Sequence, residues 1–164
     1  SPLLDKIVKL KDGKGGMLPN YLLSPEENII LCGKIDWLRY IPEDDSIHIL
    51  DFKTGVNEES EESLQLPIYQ LLLKNLQKRK VSGASYWYLN NDNNPKQVEL
   101  PDIDESFERV YDVALSVKDA RQKKEFKCPR GEGGCFACRD LEKVIRGEGE
   151  FVGAGDWQDL HFVS

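Results

Sequence analysis

The chain has 164 residues, 40% of them hydrophobic and 31% charged, with a net charge of −7. That length is enough for one domain with a buried core. No apolar run approaches the roughly 20 residues of a membrane-spanning helix, and the acidic balance argues against broad electrostatic attachment to a polyanion. No leader-like segment is visible, so a cytoplasmic location without membrane contact is expected. The first residue is Ser1 and the single methionine is Met17, so the chain is expected to be a processed form or a piece of a longer one.

In chain order, Leu3, Leu4, Ile7, Val8 and Leu10 fit the last turns of a helix begun upstream, and residues 11–16 fit a loop. A strand is predicted over 17–23, a turn over 24–28, a long strand over 29–41, a turn over 42–46 and a strand over 47–52, together a three-strand meander. Cys32 lies among Ile30, Leu31 and Ile35 and is expected to be a small buried hydrophobe. Residues 54–63 are polar and acidic and are expected to form a mobile loop. Leu64, Ile68, Leu71, Leu72 and Leu76 have helical spacing and predict a helix over 64–77, with Ser63 as N-cap and Pro67 in its first turn.

An aromatic-rich strand is predicted over 82–89, a turn over 90–95 and a short strand over 96–100. A second long helix follows over 104–126, its buried stripe formed by Phe107, Val110, Tyr111, Ala114, Val117 and Ala120. The tail carries a short helix over 140–146 closed by Gly147 and a short strand over 158–163. The order strand, strand, strand, helix, strand, strand, helix predicts an α/β fold with a mixed sheet. Residues 1–126 are expected to form the core, with residues 127–164 as a cysteine-containing tail packed on it.

The chemistry concentrates in residues 33–55, GKIDWLRYIPEDDSIHILDFKTG. Two apolar runs end in Asp36 and Asp51. If the two strands pair, those carboxylates converge. Strand alternation puts Asp51 and Lys53 on one face. Two carboxylates suit a hard cation such as Mg2+ or Mn2+, which neutralises phosphate charge and activates water. The backbone carbonyl of Phe52 is a further candidate ligand, and Lys53 is placed to orient the water or stabilise developing charge. The expected site is therefore one for metal-dependent phosphodiester cleavage. Gln65 and Tyr69 follow, four residues apart on one helix face.

The ordered set GKID (33–36), ILDFKTG (49–55) and LQLPIY (64–69) resembles the PD-(D/E)XK nuclease superfamily. Within it, the set is most similar to the RecB-like branch of recombination helicase–nucleases and CRISPR-associated exonucleases. The resemblance implies a restriction-endonuclease-like core, a mixed sheet flanked by helices. It implies that Asp36, Asp51 and Lys53 are the catalytic set and that Gln65 and Tyr69 support the site or touch DNA. It also implies DNA as substrate and fusion to, or association with, a helicase or other DNA-processing protein of repair, recombination or phage defence. The branch usually has an upstream helix bearing a glutamate or histidine near the metal. Here that helix is expected to lie outside the chain.

Cys128, Cys135 and Cys138 give C-x6-C-x2-C. Without a secretory signal, metal ligation is expected over a disulfide framework, as a 4Fe–4S cluster or as Zn2+. RecB-like relatives hold a cluster with three C-terminal cysteines and one from far upstream, but with the close pair first, whereas here it comes last. The fourth ligand is expected upstream of this chain, or for zinc from His161 or His48. His48 alternates with apolar strand positions and is expected to be exposed. Positive charge gathers at Lys74, Lys78, Arg79 and Lys80, and again at Arg121, Lys123, Lys124, Lys127 and Arg130. Lys74, Lys78 and Arg79 are the candidate nucleic-acid contacts. The alternative reading is a non-catalytic DNA-binding or scaffold module that keeps the fold and carries a metal-stapled tail.

Overall fold

The computed structural model describes residues 18–55, 57–126, 128, 130–131, 135–154 and 160–163. The predicted helix over 3–10, the loop over 11–16 and the start of the first strand at Met17 lie outside the described residues. The chain divides into two compact units, residues 1–117 and residues 118–164.

The first unit holds β1 (Asn20–Ser24), β2 (Ile29–Cys32), β3 (Trp37–Ile41), β4 (Ser46–Lys53), α1 (Gln65–Leu76), β5 (Val81–Tyr88), β6 (Lys96–Val98) and most of α2 (Ile103–Lys123). The main sheet has the order β3-β4-β5-β6. β3–β4 and β5–β6 pair antiparallel, and β4–β5 pairs parallel. A parallel neighbour needs a crossover, and α1 supplies it. The result is a mixed α/β fold, as the element order predicts.

The long strand expected over 29–41 is broken, and the three-strand meander with it. β2 pairs with β1 in a separate two-stranded sheet, and the chain then crosses to the main sheet through residues 33–36. The break lies at Gly33, whose backbone passes so close to α1 that a Cβ there would sit 2.9 Å from Leu72 Cδ1. This corrects the reading of Cys32. β2 alternates, Ile29 and Leu31 turning toward the core while Ile30 and Cys32 are exposed, so the thiol faces outward.

α1 is covered on two sides. Leu66, Tyr69 and Leu73 pack with Leu38, Ile47, Ile49, Ala84, Tyr86 and Tyr88 of the main sheet. Leu71 packs with Leu23 and Val110, joined by Phe107, Tyr111 and Ala114 of α2. Burial is thus wider than the single stripe expected. Ser63 is not the N-cap: Leu64 holds that position without a side-chain cap, and Ser63 Oγ accepts from Gln65 N–H at 3.2 Å from one residue further out. In α2, Asp102 Oδ1 accepts from the N–H groups of Asp104 and Glu105 at 2.8 and 3.1 Å. Val117, expected in the buried stripe, is 52% exposed, because the packed stretch of α2 in this unit ends at Ala114.

The second unit contains α3 (Phe136–Ile145) and an antiparallel hairpin of β7 (Glu150–Ala154) and β8 (Leu160–Val163). α3 starts four residues earlier than predicted and is followed by Gly147, whose N–H donates to Val144 O at 3.0 Å. β7 has no counterpart among the predicted elements. None of the described helices is long and apolar enough to cross a membrane.

Candidate active site at the end of β4

β4 points Ile47 and Ile49 into the core with no exposed surface. The same alternation carries Asp51 and Lys53 to that face, under α1. Asp51 is 2% exposed, a carboxylate where the pattern calls for an apolar side chain. In the antiparallel register Trp37 pairs with Leu50. Asp36, one residue before Trp37, therefore lies beside Asp51 and Phe52, and its Oδ2 accepts from Phe52 N–H at 3.3 Å. Asp36 sits in the exposed link ahead of β3 rather than within a strand.

α1 brings the rest. Gln65 and Tyr69 lie one turn apart, and both donate to Asp51 Oδ1, Gln65 Nε2 at 2.8 Å and the Tyr69 hydroxyl at 3.1 Å. Gln65 Nε2 also approaches the Tyr69 hydroxyl at 2.9 Å. Lys53 Nζ donates to Gln65 Oε1, lies 2.9 Å from Asp51 Oδ2 and 2.7 Å from Glu59 Oε2, and sits 5.0 Å from the centre of the Tyr86 ring. The structure thus brings Asp36, Asp51, Lys53, Gln65 and Tyr69 together.

Glu59 joins them, and sequence reasoning missed it. It is one of four glutamates in residues 57–63, NEESEES. That run carries no periodicity to single out one carboxylate. The same contacts anchor a loop that was expected to be mobile: Glu59 N–H donates to the Tyr88 hydroxyl at 2.8 Å, and Arg109 Nη2 donates to Glu62 O at 3.0 Å.

The electrostatics follow the packing. Burial pushes the Asp51 carboxyl up, Lys53 opposes this, and the Asp36 charge adds to it. Burial pulls Lys53 down, but Glu59 and Asp51 outweigh it and leave the ammonium above its ordinary value. Hydrogen bonds from Lys53 and Ser63 hold Glu59 below the usual carboxylate range. Burial raises the Tyr69 hydroxyl to about 12, against the Gln65 hydrogen bond and with help from the Asp51 charge, so it stays a donor at neutral pH.

One atom stands out. Asp51 Oδ2 is buried and has no hydrogen-bond partner. Lys53 Nζ is at ion-pair distance from it, but the contact is not directed as a hydrogen bond. A buried carboxylate oxygen with an open lone pair is costly unless a cation completes it. Among the described residues no group of three or more His, Cys, Asp and Glu side chains closes on one point. Two carboxylates fall short of the three or four protein ligands that zinc takes. They fit Mg2+ or Mn2+, which keep waters and need only one or two carboxylates.

Lys74, Lys78 and Arg79 are not part of this cluster. They lie at the far end of α1 and before β5, where Ile47 N–H donates to Lys80 O at 2.9 Å. Asp51 is four residues further along β4, about 13 Å away at strand rise. Arg79 is tied to Asp45 at 2.7 Å. Cys128, Cys135 and Cys138 line one cavity of about 600 Å3 together with Glu142, and the hydrogen bond with Cys135 raises the Cys138 thiol. His48 is half-buried rather than exposed, with Nε2 2.9 Å from Ser85 Oγ. The side-chain-free Gly83 opposite it on β5 leaves room for the ring. The His161 side chain lies outside the described residues.

A scan against protein-family models matches residues 7–140 to the PD-(D/E)XK nuclease superfamily. The match spans most of the chain, which therefore belongs to this superfamily, whose members are generally nucleases that use divalent metals. The four-stranded mixed sheet flanked by helices is its restriction-endonuclease-like core. Searches of curated proteins and of solved structures returned no match.

Proposed function

We propose that this is a metal-dependent deoxyribonuclease domain of the RecB-like type, acting in Mg2+ or Mn2+ within a larger DNA repair, recombination or phage-related assembly that includes a helicase or similar partner. The observation that carries the reading is the buried Asp51 Oδ2 without a hydrogen-bond partner, beside Asp36 and Lys53. Asp36, Asp51 Oδ2 and the Phe52 carbonyl would hold the ion. When bound, it would neutralise phosphate charge and lower the pKa of a water.

The chain's own residues divide the remaining work. Gln65 and Tyr69 occupy Asp51 Oδ1 and so leave Oδ2 as the oxygen open to the ion. Lys53 has three N–H groups and three neighbours, a hydrogen-bond acceptor in Gln65 and ion-pair partners in Asp51 and Glu59. Held by Gln65 and Glu59, Lys53 would direct its remaining N–H to the attacking water or to the charge that develops on phosphate. Lys74, Lys78 and Arg79 are read as a phosphate contact remote from the cleavage site. A 4Fe–4S cluster or Zn2+ on Cys128, Cys135 and Cys138 would have to draw the three thiols onto one point, where they do not now converge, and take a fourth ligand from elsewhere; iron and zinc analysis of purified protein checks this.

The test is cleavage of labelled single- and double-stranded DNA in Mn2+. Wild type should cut, and Lys53→Ala and Asp51→Ala should each lose at least about 100-fold in rate, as removal of a group that stabilises transition-state charge does. Retained cleavage in Asp51→Ala would sink the site. DNA binding without cleavage by wild type would favour the non-catalytic module instead.

A further inference from the structure

The geometry points to Glu59 as a positioning residue for Lys53, carried to the site by the acidic loop between β4 and α1. This deepens the nuclease reading and rests on it. Glu59 Oε2 and Lys53 Nζ are 2.7 Å apart, the shorter of the two carboxylate contacts the ammonium makes. Both side chains are largely withdrawn from solvent, Lys53 17% and Glu59 25% exposed. Asp51 is the contact Lys53 must loosen when a cation arrives. Gln65 alone is then a neutral, single-point anchor. A lysine side chain has four rotatable bonds and loses its aim readily, so the second, charged anchor decides where the free N–H points.

Glu59 is itself held. Its N–H donates to the Tyr88 hydroxyl at 2.8 Å, and its carboxylate bonds Ser63. On either side of it in the loop, Lys96 reaches Glu58 at 3.3 Å and Arg109 donates to Glu62 O at 3.0 Å. Glu59, Ser60, Glu61 and Ser63 form one wall of a cavity of about 740 Å3. The loop is therefore fixed by these polar ties rather than by a packed layer behind it. β5, β6 and α2 thus hold the loop, the loop holds Glu59, and Glu59 holds Lys53.

The alternative is that Glu59 cages Lys53 and blocks it. The two cases predict opposite signs. Steady-state cleavage in Mn2+ should show Glu59→Ala lowering kcat about 10- to 100-fold, the cost of a misaimed group, with KM and Tm unchanged. Glu59→Gln, which keeps an acceptor without the charge, should recover part of the loss. A loop that merely needs Glu59 to fold would lower Tm and raise KM instead, and would overturn the proposal. So would equal or faster cleavage by Glu59→Ala. A metal-free readout stands apart from activity: the Lys53 ammonium should give a protected 15N NMR signal in wild type that exchanges out in Glu59→Ala, and its persistence there would overturn the tether. Absence of cleavage by wild type would instead count against the nuclease reading.

Discussion

His48, half-buried, and Asp51, buried, are both polar groups of β4, and their partners decide what each does. His48 bonds Ser85 and is held below its ordinary value by burial, with the Arg39 charge adding. A base depressed in the folded state is protonated first in the unfolded chain. Its contribution to stability is complete above about pH 6.5 and is lost as pH falls toward the lowered folded value. His48→Gln keeps a hydrogen-bonding group without titrating. In urea unfolding, wild type should lose stability relative to this variant between about pH 7 and pH 5; a flat difference would mean that His48 does not enter the core as the neutral ring. Asp51 is the opposite case. Its cost is not removed by a hydrogen bond at Oδ2, and a group left so in a core belongs to function rather than stability.

At the scale of elements, α1 does two jobs with one pattern. Its first turn presents Gln65 and Tyr69 to Asp51, and its next turns bury Leu71, Leu72 and Leu73 between the sheet and α2. The site's geometry is therefore only as firm as this packing. Leu73, with no exposed surface, packs one turn beyond Tyr69. Leu73→Ala should cost about 2–5 kcal/mol in urea denaturation, the range for a core leucine that leaves a cavity. A cost below about 1 kcal/mol would show that the helix settles into the gap.

At the scale of the whole molecule, the net charge of −7 opposes DNA, and the basic group of Lys74, Lys78 and Arg79 lies at the end of the sheet away from the site. Approach of a phosphate to Asp36, Asp51 and Glu59 then depends on added cations. Ca2+, which binds oxygen ligands but is expected to support little cleavage, should raise DNA affinity by about 10-fold or more over EDTA. The gain should vanish in Asp36→Asn/Asp51→Asn. Fluorescence anisotropy reads both, and Ca2+-independent binding would place the DNA contact elsewhere.

Local chemistry made much of this legible in the chain. Alternation along residues 47–53 sets Asp51 and Lys53 on one face, i, i+4 spacing sets Gln65 beside Tyr69, and the acidic ends of two apolar runs locate Asp36 and Asp51. These depend on backbone periods that any strand or helix imposes. What escaped depends on contacts across the fold. The split of residues 29–41 into strands of two sheets comes from the approach of Gly33 to Leu72. The outward thiol of Cys32 follows from which face of β2 meets α1. The place of Glu59 comes from ties to Tyr88 and Lys53, 29 and 6 residues away in the chain. A run of similar glutamates holds no local signal for which one reaches the lysine. Only the tertiary structure decides that, because the partners are brought together by packing and not by spacing.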